Sequence, residues 1–306
     1  MRTDTSYRGR FAPSPTGPLH LGSLIAALAS YLDARANGGQ WLLRMEDLDP
    51  PREEPGAAQS ILSSMQDHGL QWDEEVLWQS HRSNAYEHAM ARLANSNQLF
   101  RCDCTRAMLG SGGTCAGRCL PRQRDITGPC SLRVQVPPEC EITFTDGIQG
   151  IQHEALGQTL PDFVLQRRDG LFAYQLAVVV DDAFQNVTHI MRGSDLLGST
   201  CRQIFLQQIL DFPQPQYSHL PVITNATGQK LSKQNHAPAL NAADAPHNLR
   251  RAMAFLGQPA APAAMQDCRQ LLLYATEHWS QAAVPRKMGL VASTAAQVDA
   301  LPFTDP

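Results

Sequence analysis

The sequence contains no stretch of apolar residues long enough to cross a membrane. Its first residues, Met-Arg-Thr-Asp-Thr-Ser, lack the apolar core of a secretory signal peptide. It also has no excess of positive charge, since 25 Lys and Arg face 29 Asp and Glu for a formal net charge of −4. These absences argue against a membrane protein, a secreted protein and a general polyanion binder, and they predict a cytoplasmic location.

The chain of 306 residues is long enough to bury a large core in one elaborated domain or two small ones. Hydrophobic residues make up 43% of it and charged residues 18%, which is the balance of an ordinary soluble enzyme. We find no internal repeat.

The pattern around which the chain is organised is a strand, a tight turn and a helix. An apolar segment at 7–12 runs into two prolines and a glycine, and helical spacing then begins at Leu21 and stops at Gly38. A helix start presents free N–H groups that suit a phosphate, Gly22 permits close approach to the backbone, and His20 can donate hydrogen bonds to phosphate oxygens. Taken alone, the stretch fits equally well an ordinary turn with a hydrogen-bonded surface histidine.

A second apolar run, at 41–45, is typical of a buried parallel strand. Acidic residues follow it directly at Glu46, Asp47 and Asp49. Side chains at the carboxyl end of such a strand lie where open α/β sheets bind ligands, and the strand–helix–strand order fits a right-handed crossover. The sequence therefore predicts an α/β fold with a site at this edge of the sheet.

The rest of the pattern changes character in the middle of the chain. Helices are expected at 56–68, 83–95, 199–210, 249–256 and 271–279, and a strand at 187–191. The core pattern resumes at 162–166. Between 101 and 158, cysteines, glycines and short alternating segments at 131–136 and 142–145 indicate a small inserted module with β structure. Three consecutive valines at 178–180 favour a strand by propensity.

Four of the eight cysteines lie close together, in the pattern Cys-x-Cys-x10-Cys-x3-Cys: Cys102, Cys104, Cys115 and Cys119. In a chain expected in the cytoplasm, clustered cysteines favour a metal over disulfides. Four thiolates with no open position are the usual ligands of a structural zinc ion. The alternative is four reduced thiols in a loop. The same loop, 101–125, carries five Arg against two Asp, which fits either an RNA contact or a solvated surface.

Two motifs far apart in the sequence, His20-Leu-Gly-Ser23 and Lys230-Leu-Ser-Lys233, resemble the two signatures of class I aminoacyl-tRNA synthetases. The run from Arg10 to Gly22 resembles the glutamyl branch of that class, and the resemblance covers about residues 8–240. It implies an α/β, class I synthetase Rossmann-like nucleotide-binding fold with an inserted zinc-containing α+β module and a short helical C-terminal tail. It also implies that residues 170–182 form a helix despite the three valines.

The resemblance divides the chain into four parts. Residues 1–100 are the first half of the catalytic domain, 101–160 the inserted zinc-binding acceptor-type module, 161–240 the second half with the Lys-x-Ser-Lys loop, and 241–306 a helical C-terminal extension.

The implied activity is activation of glutamate by ATP, with Mg²⁺ accompanying the nucleotide. A carboxylate attacking the α-phosphorus needs no general base, so catalysis consists of positioning and charge stabilisation. By resemblance the catalytic residues are His20, Gly22, Lys230 and Lys233, and the ATP contacts are His20, Gly22, Ser23, Ser232 and Lys233. Ser23 replaces the second histidine of the archetypal motif, and Gln234 replaces its usual final serine.

The glutamate pocket implied by the resemblance consists of Arg10, Phe11, Ala12, Pro13, Ser14, Glu46, Tyr174 and Arg192. The chemistry agrees, because two arginines can each bind a carboxylate and Glu46 can pair with the ammonium. Taken singly, each arginine fits a surface ion pair and Tyr174 a core aromatic.

The acceptor follows from what the resemblance leaves out. The segment 235–306 is shorter than the roughly 100–150 residues of a typical domain, so we expect no anticodon-binding domain. The chain thus resembles the shortened glutamyl-Q tRNA(Asp) synthetases, which load glutamate onto queuosine in the anticodon of tRNA(Asp). We expect glutamate, ATP and tRNA(Asp) carrying queuosine as partners of a monomer. Glutamylation of a tRNA 3′ end, nucleotidyl transfer to a small molecule and a non-catalytic RNA-binding relic are the alternatives.

Overall fold

The first half of the chain forms a parallel sheet, in a computed structural model that describes residues 6–224 and 238–291. Its strands, in the order β1-β2-β3, are β1 Arg8–Phe11, β2 Gln40–Met45 and β3 Asp73–Trp78. Helix α1 Leu21–Ala36 joins β1 to β2, and α2 Ala57–Asp67 leads to β3. The expected strand, turn, helix and second strand are confirmed. Strand β3 was not anticipated, because it begins with three acidic residues and lies at the edge of this sheet.

The inserted region is antiparallel. After α3 Ser83–Asn95, strands β4 Leu99–Cys102, β5 Ser131–Gln135 and β8 Asp162–Gln166 form one sheet, and β6 Ile142–Asp146 and β7 Gly150–Glu154 form a hairpin. Short helices α4 Arg106–Leu109 and α5 Leu156–Thr159 lie between them. The expected β character of the segment is confirmed.

After the inserted region, the chain returns to parallel strands connected by helices. Helix α6 Tyr174–Phe184 contains the three valines, so tertiary packing overrides their strand propensity, since all three side chains are buried in the core. Strands β9 His189–Gly193 and β10 Gln216–Leu220 pair in parallel, and α7 Leu197–Ile209 connects them in the chain. The Thr188 N–H, just before β9, donates to the Arg8 carbonyl (2.9 Å), which places β9 beside β1.

The C-terminal segment packs back on the first half of the chain. Helices α8 Ala245–Phe255 and α9 Cys268–Glu277 pack with α1 in one apolar core. The two helices expected in this segment are confirmed. Strand β12 Gly289–Val291, which was not anticipated, pairs in parallel with β11 Val222–Thr224. Trp279 Nε1 donates to Asp33 Oδ1 (2.8 Å) and fixes the tail on α1. In the part of the chain that the structure describes, no helix is both long and apolar enough to cross a membrane.

The buried face of α1 supports the fold, and we expect its truncation to be costly. Leu28 is 0% exposed in the core shared with α8 and α9, whereas Leu273 on α9 is 64% exposed. Leu28→Ala should lower the free energy of unfolding by about 2–5 kcal/mol, because it leaves a cavity. Leu273→Ala should change it by less than about 0.5 kcal/mol. Urea denaturation followed by circular dichroism measures both, and equal effects would contradict this account of the core.

Candidate active site

The turn after β1 places a histidine at the start of α1. His20 is the N-cap residue, and its Nδ1 accepts a hydrogen bond from the Ser23 backbone N–H (3.3 Å). A Cβ on Gly22 would lie 3.0 Å from a carbon of the His20 ring, so glycine leaves this ring in place. The first N–H groups of the helix and the imidazole therefore occupy one small region, suited to an anion.

One cavity of about 790 Å³ lies at the carboxyl ends of the parallel strands. It is lined by every described residue that the sequence analysis assigned to glutamate or ATP: Arg10, Phe11, Ala12, Pro13, Ser14, His20, Gly22, Ser23, Glu46, Tyr174 and Arg192. This is the edge at which open α/β sheets bind ligands. The remaining predicted residues, Lys230, Ser232 and Lys233, lie outside the described residues, as does Gln234.

A buried carboxylate holds the first arginine of the cavity. Asp182 on α6 accepts from Nε of Arg10 (3.1 Å) and from its Nη2 (3.4 Å). Arg44 on β2 is 0% exposed, and its Nη2 lies 2.8 Å from the same carboxylate. Burial alone would raise the pKa of Asp182, but the Arg10 and Arg44 guanidinium groups hold it below its usual value. Asp182 therefore stays ionised and fixes Arg10 in a buried ion pair rather than a surface one.

Glu46 follows β2 directly and contributes a carboxylate with an unused acceptor. Its side chain is 9% exposed, and its Oε1 lies 3.5 Å from Nη2 of Arg44. Among the described residues no donor forms a hydrogen bond with this oxygen. Burial raises the pKa of Glu46, and the positive charges of Arg44 and Arg10 oppose that rise. An oxygen of this kind is suited to a donor that arrives with a ligand.

Arg192, near the end of β9, is the second arginine of the cavity and is 4% exposed. Its Nε donates to His219 Nε2 (3.0 Å), its Nη2 to Thr200 Oγ1 (2.9 Å) and its Nη1 to the Tyr174 hydroxyl (3.4 Å). Burial raises the pKa of Tyr174, so the phenol stays neutral. No carboxylate among the described residues forms an ion pair with Arg192.

Sequence reasoning missed the residues that hold the two arginines, namely Arg44, Asp182, Thr200 and His219. A signal was present for two of them, since Arg44 stands inside an apolar strand and Asp182 inside an apolar helix. Ionised side chains are almost never fully buried unless they are paired. Nothing comparable marks Thr200 or His219 in the sequence.

The four clustered cysteines meet in the inserted region. All four are buried, and their sulfur atoms lie within 4.8 Å of one another. Sγ of Cys104 is 3.9 Å from that of Cys115 and 3.5 Å from that of Cys119. A tetrahedral ion with metal–sulfur bonds of about 2.3 Å needs sulfur atoms about 3.8 Å apart, so the cluster fits a metal ion.

A buried ion pair holds the loop that carries two of these cysteines. Asp162 on β8 accepts from the backbone N–H groups of Cys115 (3.0 Å) and Ala116 (2.8 Å), and it pairs with Arg133. Arg122, one of the five arginines of the loop 101–125, forms an ion pair with Asp103 at 3.1 Å.

A family model described as tRNA synthetases class I (E and Q), catalytic domain, matches residues 6–112 and 119–257. A solved structure of a glutamate tRNA ligase from Elizabethkingia meningosepticum, in complex with its amino acid, superposes with a TM-score of 0.79 and 24% sequence identity. The match covers 97% of this chain and 68% of that one, and at this identity it shows the fold alone.

Curated relatives are much closer in sequence. The chain is 51% identical over 287 residues to the glutamyl-Q tRNA(Asp) synthetase of Escherichia coli K12, covering 92% of both chains. It is 48% identical over 292 residues to the protein of that name from Pseudomonas fluorescens, covering 94% of this chain and 97% of that one. The Neisseria meningitidis serogroup A protein of that name is 51% identical over 290 residues. The chain therefore belongs to the class I aminoacyl-tRNA synthetases of the glutamyl and glutaminyl group, and within them to the glutamyl-Q tRNA(Asp) synthetase family.

Proposed function

We propose that the chain activates glutamate with ATP and transfers it to the queuosine base in the anticodon of tRNA(Asp). The observation that carries the glutamate assignment is Arg192. Its guanidinium is buried at the cavity, and the partners described for it are the neutral groups of His219, Thr200 and Tyr174. A buried cation without a carboxylate partner is costly, so the cavity favours a ligand that brings an anion to this position.

The other groups of the cavity fit the rest of a glutamate molecule. The hydrogen bonds of Arg10 to Asp182 use Nε and Nη2, and Nη1 is left to contact a second carboxylate. Oε1 of Glu46 accepts from the substrate ammonium. Phe11, Ala12, Pro13 and Ser14 complete the wall, since all four line the same cavity. Each carboxylate of a diacid then meets its own guanidinium, which favours glutamate over glutamine.

ATP occupies the part of the cavity at the start of α1. His20, Gly22 and Ser23 contact its phosphates, and Lys230, Ser232 and Lys233 complete the site by resemblance to the family, with Mg²⁺ bound to the nucleotide. A substrate carboxylate oxygen attacks the α-phosphorus and pyrophosphate leaves, which gives glutamyl-adenylate. No general base is needed, because the nucleophile is already ionised.

The relatives support queuosine as the acceptor. The Pseudomonas and Neisseria proteins named for this reaction align over 97% and 98% of their length, whereas the glutamate tRNA ligase extends well beyond the match. A hydroxyl on the cyclopentene ring of queuosine attacks the adenylate carbonyl and AMP leaves, which forms an ester. Transfer to the 3′ end of a tRNA is the second candidate, favoured only by the fold shared with that ligase.

The metal is zinc, and its role is structural, because four thiolates fill a tetrahedron and leave no open position. We assign residues 1–100 and 161–240 to the two halves of the catalytic domain, 101–160 to the zinc module and 241–306 to the C-terminal extension. We propose that the chain acts as a monomer.

Activation of glutamate should proceed without RNA. Pyrophosphate exchange should occur with glutamate and not with aspartate or glutamine. His20→Ala and Lys233→Ala should each lower the exchange rate on the order of 100-fold or more, because each removes a contact that strengthens in the transition state. His247→Ala, a change at an exposed histidine on α8, is the matched control and should leave the rate unchanged. Near-normal exchange in both variants would refute the assignment.

The acceptor should be the queuosine base of the tRNA. Radioactive glutamate should label bulk tRNA that contains queuosine, and tRNA prepared without queuosine should stay unlabelled. Nuclease mapping should locate the label on the anticodon fragment, as an ester that mild base removes. Label on the 3′-terminal fragment would overturn this choice in favour of ordinary tRNA glutamylation.

The cysteine cluster should hold one metal ion. Protein purified without chelator should contain one zinc ion per chain, and Cys115→Ser should lose it. Cys268→Ser, outside the cluster, should keep it. Removal of zinc should speed amide exchange in β4 and β5 more than in β1 and β2, because metal binding and local folding are coupled. A zinc-free native protein with four titratable thiols in the loop would contradict the site.

A further inference from the structure

Arg192 reaches its position in the cavity through a histidine whose protonation pattern is fixed. His219 is 0% exposed, and its Nε2 lies 3.0 Å from Nε of Arg192. A guanidinium N–H can only donate, so Nε2 must accept and cannot carry a proton. The proton of the neutral ring therefore lies on Nδ1. Burial lowers the pKa of His219 and keeps the ring neutral.

A carboxylate from the inserted region fixes this tautomer. Asp146 ends β6, and its Oδ2 lies 2.6 Å from Nδ1 of His219. Its other oxygen, Oδ1, accepts three backbone N–H groups, those of Ile148 (3.0 Å), Gln149 (2.8 Å) and His219 itself (3.1 Å). Oδ2 is therefore the oxygen that faces the imidazole, and it can only accept from it.

The hairpin that carries Asp146 is itself held against β10. The Gly147 N–H donates to the Tyr217 carbonyl (2.8 Å), and Nε2 of Gln149 donates to the carbonyls of His219 (2.8 Å) and Lys287 (3.1 Å). The carboxylate on β6, the imidazole on β10 and the guanidinium on β9 thus form one hydrogen-bonded series across three strands.

We infer that Asp146 and His219 are positioning residues that aim the Arg192 guanidinium at a carboxylate of the amino acid substrate. The inference rests on the proposed function, which assigns that carboxylate to glutamate. It makes the β6–β7 hairpin of the inserted region part of the amino acid site, although neither residue lines the cavity.

Asp146→Asn separates this role from a structural one. Its amide oxygen can still accept the three backbone N–H groups, and they fix the orientation of the amide, so the turn is kept. The amide NH₂ then faces Nδ1 and forces the proton to Nε2, where it opposes the N–H of Arg192. The KM for glutamate should rise at least 10-fold, about the loss expected for a hydrogen bond to a charged group. The KM for ATP should change less than about 3-fold.

His219→Gln provides the rescue. The glutamine oxygen can take the place of Nε2 and accept from Nε of Arg192, whereas His219→Ala removes the acceptor of that N–H. His219→Ala should therefore raise the KM for glutamate as Asp146→Asn does, and His219→Gln should restore most of it. In the His219→Gln background, Asp146→Asn should add little, because no imidazole tautomer remains to be reversed. Additive effects of the two changes would refute the positioning role.

His68→Ala is the matched control, since His68 is also buried but lies outside the cavity. It should lower stability and leave the KM for glutamate unchanged. If wild-type protein activates a different amino acid, the proposed substrate is wrong and the same KM comparison is made with that amino acid. If wild-type protein activates glutamate and Asp146→Asn keeps its KM, the inference is wrong and the proposed function stands.

Discussion

The buried carboxylate of Asp182 is the interaction on which the architecture of the site depends. It lies between the guanidinium groups of Arg10 on β1 and Arg44 on β2. Asp182 itself is on α6, which follows the inserted region in the sequence. Removing one member of such a buried cluster leaves an uncompensated charge, at a cost of about 3–5 kcal/mol. The elements before and after the inserted region are therefore held together beside the cavity by buried ion pairs as well as by apolar packing.

Backbone hydrogen bonds from the C-terminal segment hold the start of α1. Ala239 forms an antiparallel bridge with His20, and the Leu240 N–H donates to the Leu19 carbonyl (2.9 Å). On the other flank, β11 lines the cavity and is paired with β12 of the C-terminal segment. Ala239 and Leu240 are thus fixed beside the histidine that caps α1, and β11 is fixed at the cavity. The C-terminal segment supports the site as well as the core.

Much of the fold and part of the cavity lining could be predicted from the sequence, for reasons that differ between elements. Helix α1 has a clear apolar periodicity and strand β2 a compact apolar run, and resemblance to the family predicts that Tyr174 and Arg192 share one site. Strand β3 could not be found this way, since an edge strand that begins with acidic residues lacks an apolar run. The partners of the arginines were also missed, because the pairing of Arg10 with Asp182 spans 172 positions and periodicity carries no information on such pairs.

The two arginines of the cavity differ in their partners: Arg10 pairs with a carboxylate, whereas Arg192 contacts neutral groups. Arg10 contacts a carboxylate directly, so much of its charge is already balanced before any ligand binds. Arg192 is separated from the nearest carboxylate in its series, Asp146, by the neutral ring of His219. A carboxylate in direct contact balances more of an arginine's charge than one held farther away, so Arg192 keeps more of its net positive charge than Arg10 does. The intervening imidazole orients Arg192 and leaves its guanidinium without a carboxylate in direct contact among the described residues.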